Sequence, residues 1–126
     1  MPVRHGMKGL TIIAADLSSE RFRCALSLAA AQAALGGRAR LFCQGEAVAL
    51  LRPPVQGIED DAHEDAGLPT LDLLFEEALG LGVTIIACQS GMALTNTDAR
   101  TLDARITFGG MVSVLQALGD DRLLCV

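Results

Sequence analysis

Tryptophan and tyrosine are absent from this 126-residue chain, and phenylalanine occurs only four times. Any core it builds is therefore aliphatic, drawn from Leu, Ile, Val and Ala. Basic charge is also scarce. Ten Lys and Arg stand against fifteen Asp and Glu, a formal net charge of -5 with a pI near 4.8. Such a field attracts neither nucleic acid nor an anionic membrane surface, and no basic patch with interleaved aromatics offsets it. The only two histidines are His5, near the start, and His63, in an acidic run, so a zinc site is not expected. Cysteines at 24, 43, 88 and 125 form no CxxC and no metal-ligand spacing. No apolar run reaches the roughly 18 residues that span a bilayer. "LTIIAA" is shorter than the hydrophobic stretch of a signal peptide and runs directly into Asp16. The expectation is a cytoplasmic protein with free thiols, no metal and no organic cofactor.

Apolar residues are plentiful: 51% of the chain is hydrophobic and the mean hydropathy is +0.40. The length suits one domain, residues 1–126, with a proper core. So oily a small chain is expected to leave apolar surface for a second copy. The helix over 69–81 and the segment 46–58 are the candidate contacts.

Short apolar runs alternate with helical patterns. "GLTIIAAD" (9–16) reads as a strand buried on both faces. The stretch that follows, "LSSERFRCALSLAAAQAALGG", predicts a helix capped by Ser18 or Ser19 and ended at Gly36-Gly37. "RARLFCQ" (38–44) reads as a second strand and "GEAVALL" as a short helix. "RPPVQGIEDDAHEDAGLP" predicts a long exposed acidic loop. Leu71, Leu74, Phe75 and Leu79 then form one helical stripe, Val83 to Ala87 a third strand, and Arg105 to Thr107 a fourth. A helix opens at Gly109-Gly110, and "RLLCV" closes as a strand. The sum is a three-layer α/β/α sandwich around a mostly parallel sheet of about five strands.

Ligands of such sheets bind beyond the carboxyl ends of the strands. Asp16, Cys43 and Cys88 all fall at predicted carboxyl ends, so they are candidates for one shared edge. In "VTIIACQSGMAL" Cys88 stands where a strand becomes a helix. The unpaired N–H groups and positive dipole end of a helix start favour a thiolate. Gln89 and Ser90 offer polar side chains there, and Gly91 lets backbone approach closely. The competing reading is a small core residue, the common role of a free cysteine. Cys43 is a candidate second thiol only if its strand adjoins that of Cys88, since a disulfide needs Cα atoms within about 7 Å. Cys24 and Cys125 read as packing residues. "FGGMVSVLQAL" lacks the Lys and Thr of a P-loop, so Gly109 and Gly110 read as a tight strand-to-helix turn or close packing, with an anion-friendly helix terminus beside the site as a further candidate role. Ser90 in "QSGM" is not a GxSxG serine.

"ALGLGVTIIACQSGMALTNTDARTLDARITFGGMVSVLQAL" resembles the DsrE/DsrF-like proteins, most of all the branch labelled peroxiredoxin-like. That branch carries a strand, a cysteine followed by small and Met residues, then "GV.FGG" and a helix. The likeness extends through "GLTIIAADLSSERFRCALSLAAAQAALGGRARLF", although only the cysteine region is distinctive. It implies a cytosolic homo-oligomer (dimer, trimer or hexamer) of sulfur metabolism, acting as sulfurtransferase or sulfur carrier. Cys88 matches the position that accepts sulfane sulfur as a persulfide and exchanges it with small sulfur-carrier proteins. The chain departs from the branch in having only Met92 where a Met-rich run is usual, and the TxxC signature of true peroxiredoxins is absent. The alternative is a non-enzymatic module binding a small molecule or partner on the same fold.

Overall fold

The computed structural model describes residues 7–126. His5 therefore lies outside the described residues. Five strands alternate with helices along the chain. β1 (Leu10–Ala14), α1 (Ser19–Ala34) and β2 (Ala39–Cys43) come first, followed by a 3-10 helix over Gly45–Leu51. Next come α2 (Asp60–Asp65), α3 (Leu71–Gly80), β3 (Thr84–Cys88) and α4 (Gln89–Leu94). A second 3-10 turn (Ala99–Thr101), β4 (Thr107–Gly109), α5 (Met111–Gln116) and β5 (Arg122–Cys125) complete the fold.

The sheet runs β4-β3-β2-β1-β5, and every neighbouring pair is parallel. Parallel strands need crossover connections, which here carry the helices to both faces. Side chains alternate along each strand, so residues in register project to the same face. Leu10, Ile12 and Ala14 share one face with Ala39, Leu41 and Cys43 of β2, and Leu41 and Cys43 with Ile85 and Ala87 of β3. α1 and α3 pack together, and α1 lies against β1 and β2. The opposite face carries Thr11, Ile13, Arg40, Phe42 and Ile86, with α5 over it through Val114.

Local chemistry explains the helix limits. The Ser18 hydroxyl accepts the Arg21 N–H at the start of α1, and Thr70 does the same for Leu73 at α3. Gly36 and Gly82, each just beyond a helix, take φ of 89° and 90°, the left-handed turn that ends α1 and α3. Within α3 the expected stripe of Leu71, Leu74, Phe75 and Leu79 is buried.

Two expectations need correcting. The acidic segment is exposed along much of its length, yet it is not all loop, because Asp60–Asp65 is helical. Tertiary contacts hold that helix against α1: Arg23 meets Asp60 at 3.0 Å, and His63 Nε2 lies 2.9 Å from Glu20. The strand expected at Arg105 to Thr107 sits two residues later, at Thr107–Gly109. The candidate contact surfaces are divided: the α3 stripe is buried and Ala47, Val48, Leu51 and Val55 belong to the core, while Ile58, Leu73 and Leu81 stay exposed. Apolar surface is exposed also on Val112 and Leu115 of α5 and on Leu123 and Leu124 of β5.

Candidate functional site

Cys88 is the last residue of β3 and the N-cap of α4, with extended backbone (φ −67°, ψ 126°). A buried parallel strand thus delivers the thiol to the carboxyl edge of the sheet. Its residue is 6% exposed. Across the ladder Cys88 stands opposite Gly109, the last residue of β4. That neighbour has no side chain, and the space a Cβ would take there is already approached by the Ser113 hydroxyl at 3.1 Å and by Ile86 at 3.3 Å. Continuing the β2–β3 register one residue past Cys43 and Ala87 brings Gln44 opposite Cys88 on the other side. Gln44 and Ser113 were not among the residues selected from sequence. Gln44 had a signal, since it directly follows a strand-end cysteine; Ser113 had none before β4 and β3 were known to be neighbours.

The remaining candidates divide. Gln89 and Ser90 open α4 with exposed side chains, and Gly91 is buried against the first 3-10 helix. Gly110 caps α5, its N–H donating to the Ser113 hydroxyl at 3.1 Å. Asp16 lies past β1, and β2 intervenes between it and Cys88. Its carboxylate is taken by the Ser18 N–H and by Arg21, both at 2.9 Å, so it serves the entry to α1.

Cys43 is separated from Cys88 by the pleat. β2 and β3 do adjoin, but Cys43 is in register with Ala87, the residue before Cys88. Alternation then sends the two thiols to opposite faces of the sheet. Cys43 is fully enclosed, and burial pushes its thiol up to about 12. It is a core residue, and the geometry removes it as a partner for Cys88. Cys24 and Cys125, expected to be packing residues, are exposed. The inward positions of α1 are Phe22, Ala25, Leu26, Ala29 and Ala30, which turn Cys24 outward. Every residue of β5 is exposed on its edge.

Among the described residues, no helix is long and apolar enough to cross a membrane. Within the same set, no group of three His, Cys, Asp or Glu side chains is placed to hold a metal.

A concavity lies apart from Cys88. It encloses about 910 Å³ between the segment after β2, the start of α3 and the segment after α4. Asp60, Asp61, Glu64, Asp72, Glu76 and Asp103 line it, with no Lys, Arg or His in the lining among the described residues. Burial works to raise the Asp60 carboxyl, but the Gly57 and Leu71 N–H groups and Arg23 outweigh it and hold the group low. Hydrogen bonds from Arg105 hold Glu76 low and bring Asp103 down to about 2.

No family model matches the chain, and no curated protein matches its sequence. Solved structures do share its shape. A protein of unknown function, MTH1491 from Methanobacterium thermoautotrophicum, superposes with a TM-score of 0.71 at 13% identity, covering 95% of this chain and 100% of its own. The ychN protein from E. coli superposes with a TM-score of 0.68 at 19% identity, again covering 95% and 100%. At such identities the likeness concerns the fold, and the fold is what this chain shares with them: a parallel five-stranded α/β sheet.

Proposed function

We propose that the chain is a DsrE/DsrF-like sulfur-handling protein of the cytoplasm that carries sulfane sulfur on Cys88 as a persulfide. The observation that carries this reading is the position of Cys88 at the carboxyl end of β3, between the side-chain-free Gly109 and the first turn of α4. Open parallel sheets bind their ligands at that edge. The resemblance of "VTIIACQSGMAL" to the family's sulfur-accepting segment supports the same residue.

In the proposed step the Cys88 thiolate attacks the sulfane sulfur of a donor. A new S–S bond forms at Cys88, and the donor's own S–S bond breaks. Thiosulfate leaves as sulfite, and a polysulfide leaves one sulfur shorter. An acceptor thiolate then attacks the outer sulfur and releases Cys88 as thiolate. The N–H groups of Gln89 to Gly91 belong to a helix's first turn, where no intrahelical carbonyl claims them, and would steady the anionic sulfur. No metal or organic cofactor enters the step. Small sulfur-carrier proteins are the proposed acceptors. A second copy is proposed to cover Val112, Leu115, Leu123 and Leu124, which α5 and β5 leave exposed.

One observation favours a second reading, a non-enzymatic binding module: Cys88 is 6% exposed, as core cysteines are. Cyanide-labile sulfur decides between them. After incubation with thiosulfate or polysulfide, the protein should yield about one labile sulfur per chain and Cys88→Ser none, following the exchange chemistry. Equal loading of Cys88→Ser assigns the sulfur to exposed Cys24 or Cys125 and removes the carrier reading.

A further inference from the structure

The acidic concavity is built from segments that leave β2 and β3 at their carboxyl ends, yet Cys88 does not line it. Its six carboxylates are not equivalent. Asp60 is paired with Arg23, and Glu76 and Asp103 with Arg105. Asp61, Glu64 and Asp72 have no ion pair among the described residues, and all three are exposed. A cleft lined by one sign of charge over low-dielectric walls concentrates its field and attracts counter-charge.

The walls are apolar as well as acidic. Leu51, Val55, Phe75 and Leu102 form buried backing, while Pro53 and Pro54 are exposed on the lip. Ile58, also on the lip, is 91% exposed, the most exposed large hydrophobic side chain among the described residues. A free small cation would use the carboxylates and leave this lip bare. A lysine or arginine side chain uses both, laying its methylene stem on apolar surface and its charged head on carboxylate. The volume stands near the upper end of the range for small-molecule sites, about 300–1,000 Å³, so the concavity admits several side chains of a peptide.

The geometry points to a docking groove for a basic, partly apolar segment of a partner protein, with its Lys or Arg heads on Asp61, Glu64 and Asp72 and an apolar residue against Ile58. The groove does not require Cys88 to be reactive, so it stands apart from the sulfur-carrier reading.

The test uses the full chain and a fluorescein-labelled peptide that alternates Lys and Leu, read by anisotropy at low and high salt. Binding is expected to weaken about tenfold in the triple variant Asp61→Asn, Glu64→Gln, Asp72→Asn, and to weaken with salt. A charge-matched triple away from the groove, Glu46→Gln, Glu77→Gln, Asp120→Asn, should bind as the natural chain does. Asp72 lies in the first turn of α3, so the double variant at Asp61 and Glu64 and the single Ile58→Ser give readings that do not depend on that helix. Ile58→Ser should weaken the Lys-Leu peptide but not an all-Lys peptide. Spermidine should displace the peptide only weakly. The proposal is overturned if the peptide does not bind, if both triples lose affinity equally, or if spermidine and all-Lys peptide bind as tightly as Lys-Leu. An Ile58→Ser variant that binds Lys-Leu unchanged overturns it too.

Discussion

Gly91 of α4 is pressed onto Gly45, so closely that a Cβ at 91 would lie 2.5 Å from the Gly45 carbonyl oxygen and 2.6 Å from Val48. Gly45 itself takes φ +58°, so it bends the chain back under α4. This contact sets how near α4 comes to the turn after β2, and hence where Cys88 is held. Gly91→Ala gains helix propensity worth about 0.5–1 kcal/mol but overpacks a site backed by main chain, which costs about 1–3 kcal/mol. The net expectation is destabilisation. Gly80, in α3, has open space around its would-be Cβ, so Gly80→Ala should stabilise by about 0.5–1 kcal/mol. Urea titration of the two variants should give opposite signs; the same sign for both would mean that the Gly91 contact gives way freely.

Beneath α5, Thr11 bridges a buried ion pair. Its hydroxyl donates to Asp121 at 2.8 Å and accepts from Arg40 at 2.9 Å, while Arg40 lies 3.6 Å from Asp121. The Asp121 side chain is 0% exposed and that of Arg40 10%. Arg38 also pairs with Asp121, so Asp121 keeps a partner without Arg40, but removing Asp121 strands the Arg40 charge in the interior. Asp121→Ala should therefore cost about 3–5 kcal/mol, whereas losing an exposed, solvent-screened pair such as Arg100–Asp98 should cost little. Chemical denaturation of Asp121→Ala and Arg100→Ala, the latter leaving the Asp98 cap on the Arg100 N–H in place, measures the contrast, and comparable losses would contradict it.

Much of the architecture is legible in the chain because periodicity states it. The stripe from Leu71 to Leu79 and the apolar runs of β1, β2 and β3 each imply their own burial. The outward turn of Cys24 is less legible: Phe22, Ala25, Leu26 and Ala29 define an inward face that excludes it, but the surrounding alanines disguise that face. What the chain does not state is register. Whether Cys43 and Cys88 share a face depends on which residue of β3 meets Cys43, a relation set by packing across the sheet. The helix Asp60–Asp65 was hidden for a similar reason. Its partners Glu20 and Arg23 lie about forty residues earlier in α1, and an acidic run by itself reads as solvated loop. The placing of Gly109 beside Cys88 also follows from pairing, since only the β3–β4 ladder brings them together.

Acid should loosen the junction between α3 and the segment entering β4. Arg105 binds Glu76 at 2.6 Å and Asp103 at 2.9 Å, and its hydrogen bonds hold both carboxyls below their ordinary 4.5 and 3.8, Asp103 at about 2. A carboxyl whose folded pKa is depressed contributes stability that is complete above its unfolded pKa and disappears as pH falls through its folded one. The contribution should therefore be present at pH 6 and fade between about pH 4.5 and 2. Arg105→Gln should melt below the natural chain at pH 6, by a modest margin because all three groups are partly exposed, with the two melting curves converging near pH 2. A gap that stays constant over that range would show that Arg105 stabilises by packing and not by charge.

The four thiols offer an internal contest between access and reactivity. Cys24 and Cys125 are exposed, Cys88 is 6% exposed, and Cys43 is 0% exposed. Access alone orders their alkylation as Cys24 and Cys125 first, Cys88 well behind, and Cys43 last. The sulfur-carrier reading demands a different order, because alkylation rate follows the thiolate and not the thiol. On that reading Cys88 should react with iodoacetamide in the native protein at pH 7 at least as fast as Cys24, despite its lesser exposure. Cys43, whose thiol burial raises to about 12, should react only when the chain unfolds. Mass spectrometry of tryptic peptides over a time course separates the four rates within one sample, so differences in protein folding or reagent cannot enter. Cys88→Ser should leave the rates of Cys24 and Cys125 unchanged, since neither shares its strand end. Should Cys88 wait for unfolding alongside Cys43, its thiol is core filling, and the persulfide chemistry proposed for it has no nucleophile.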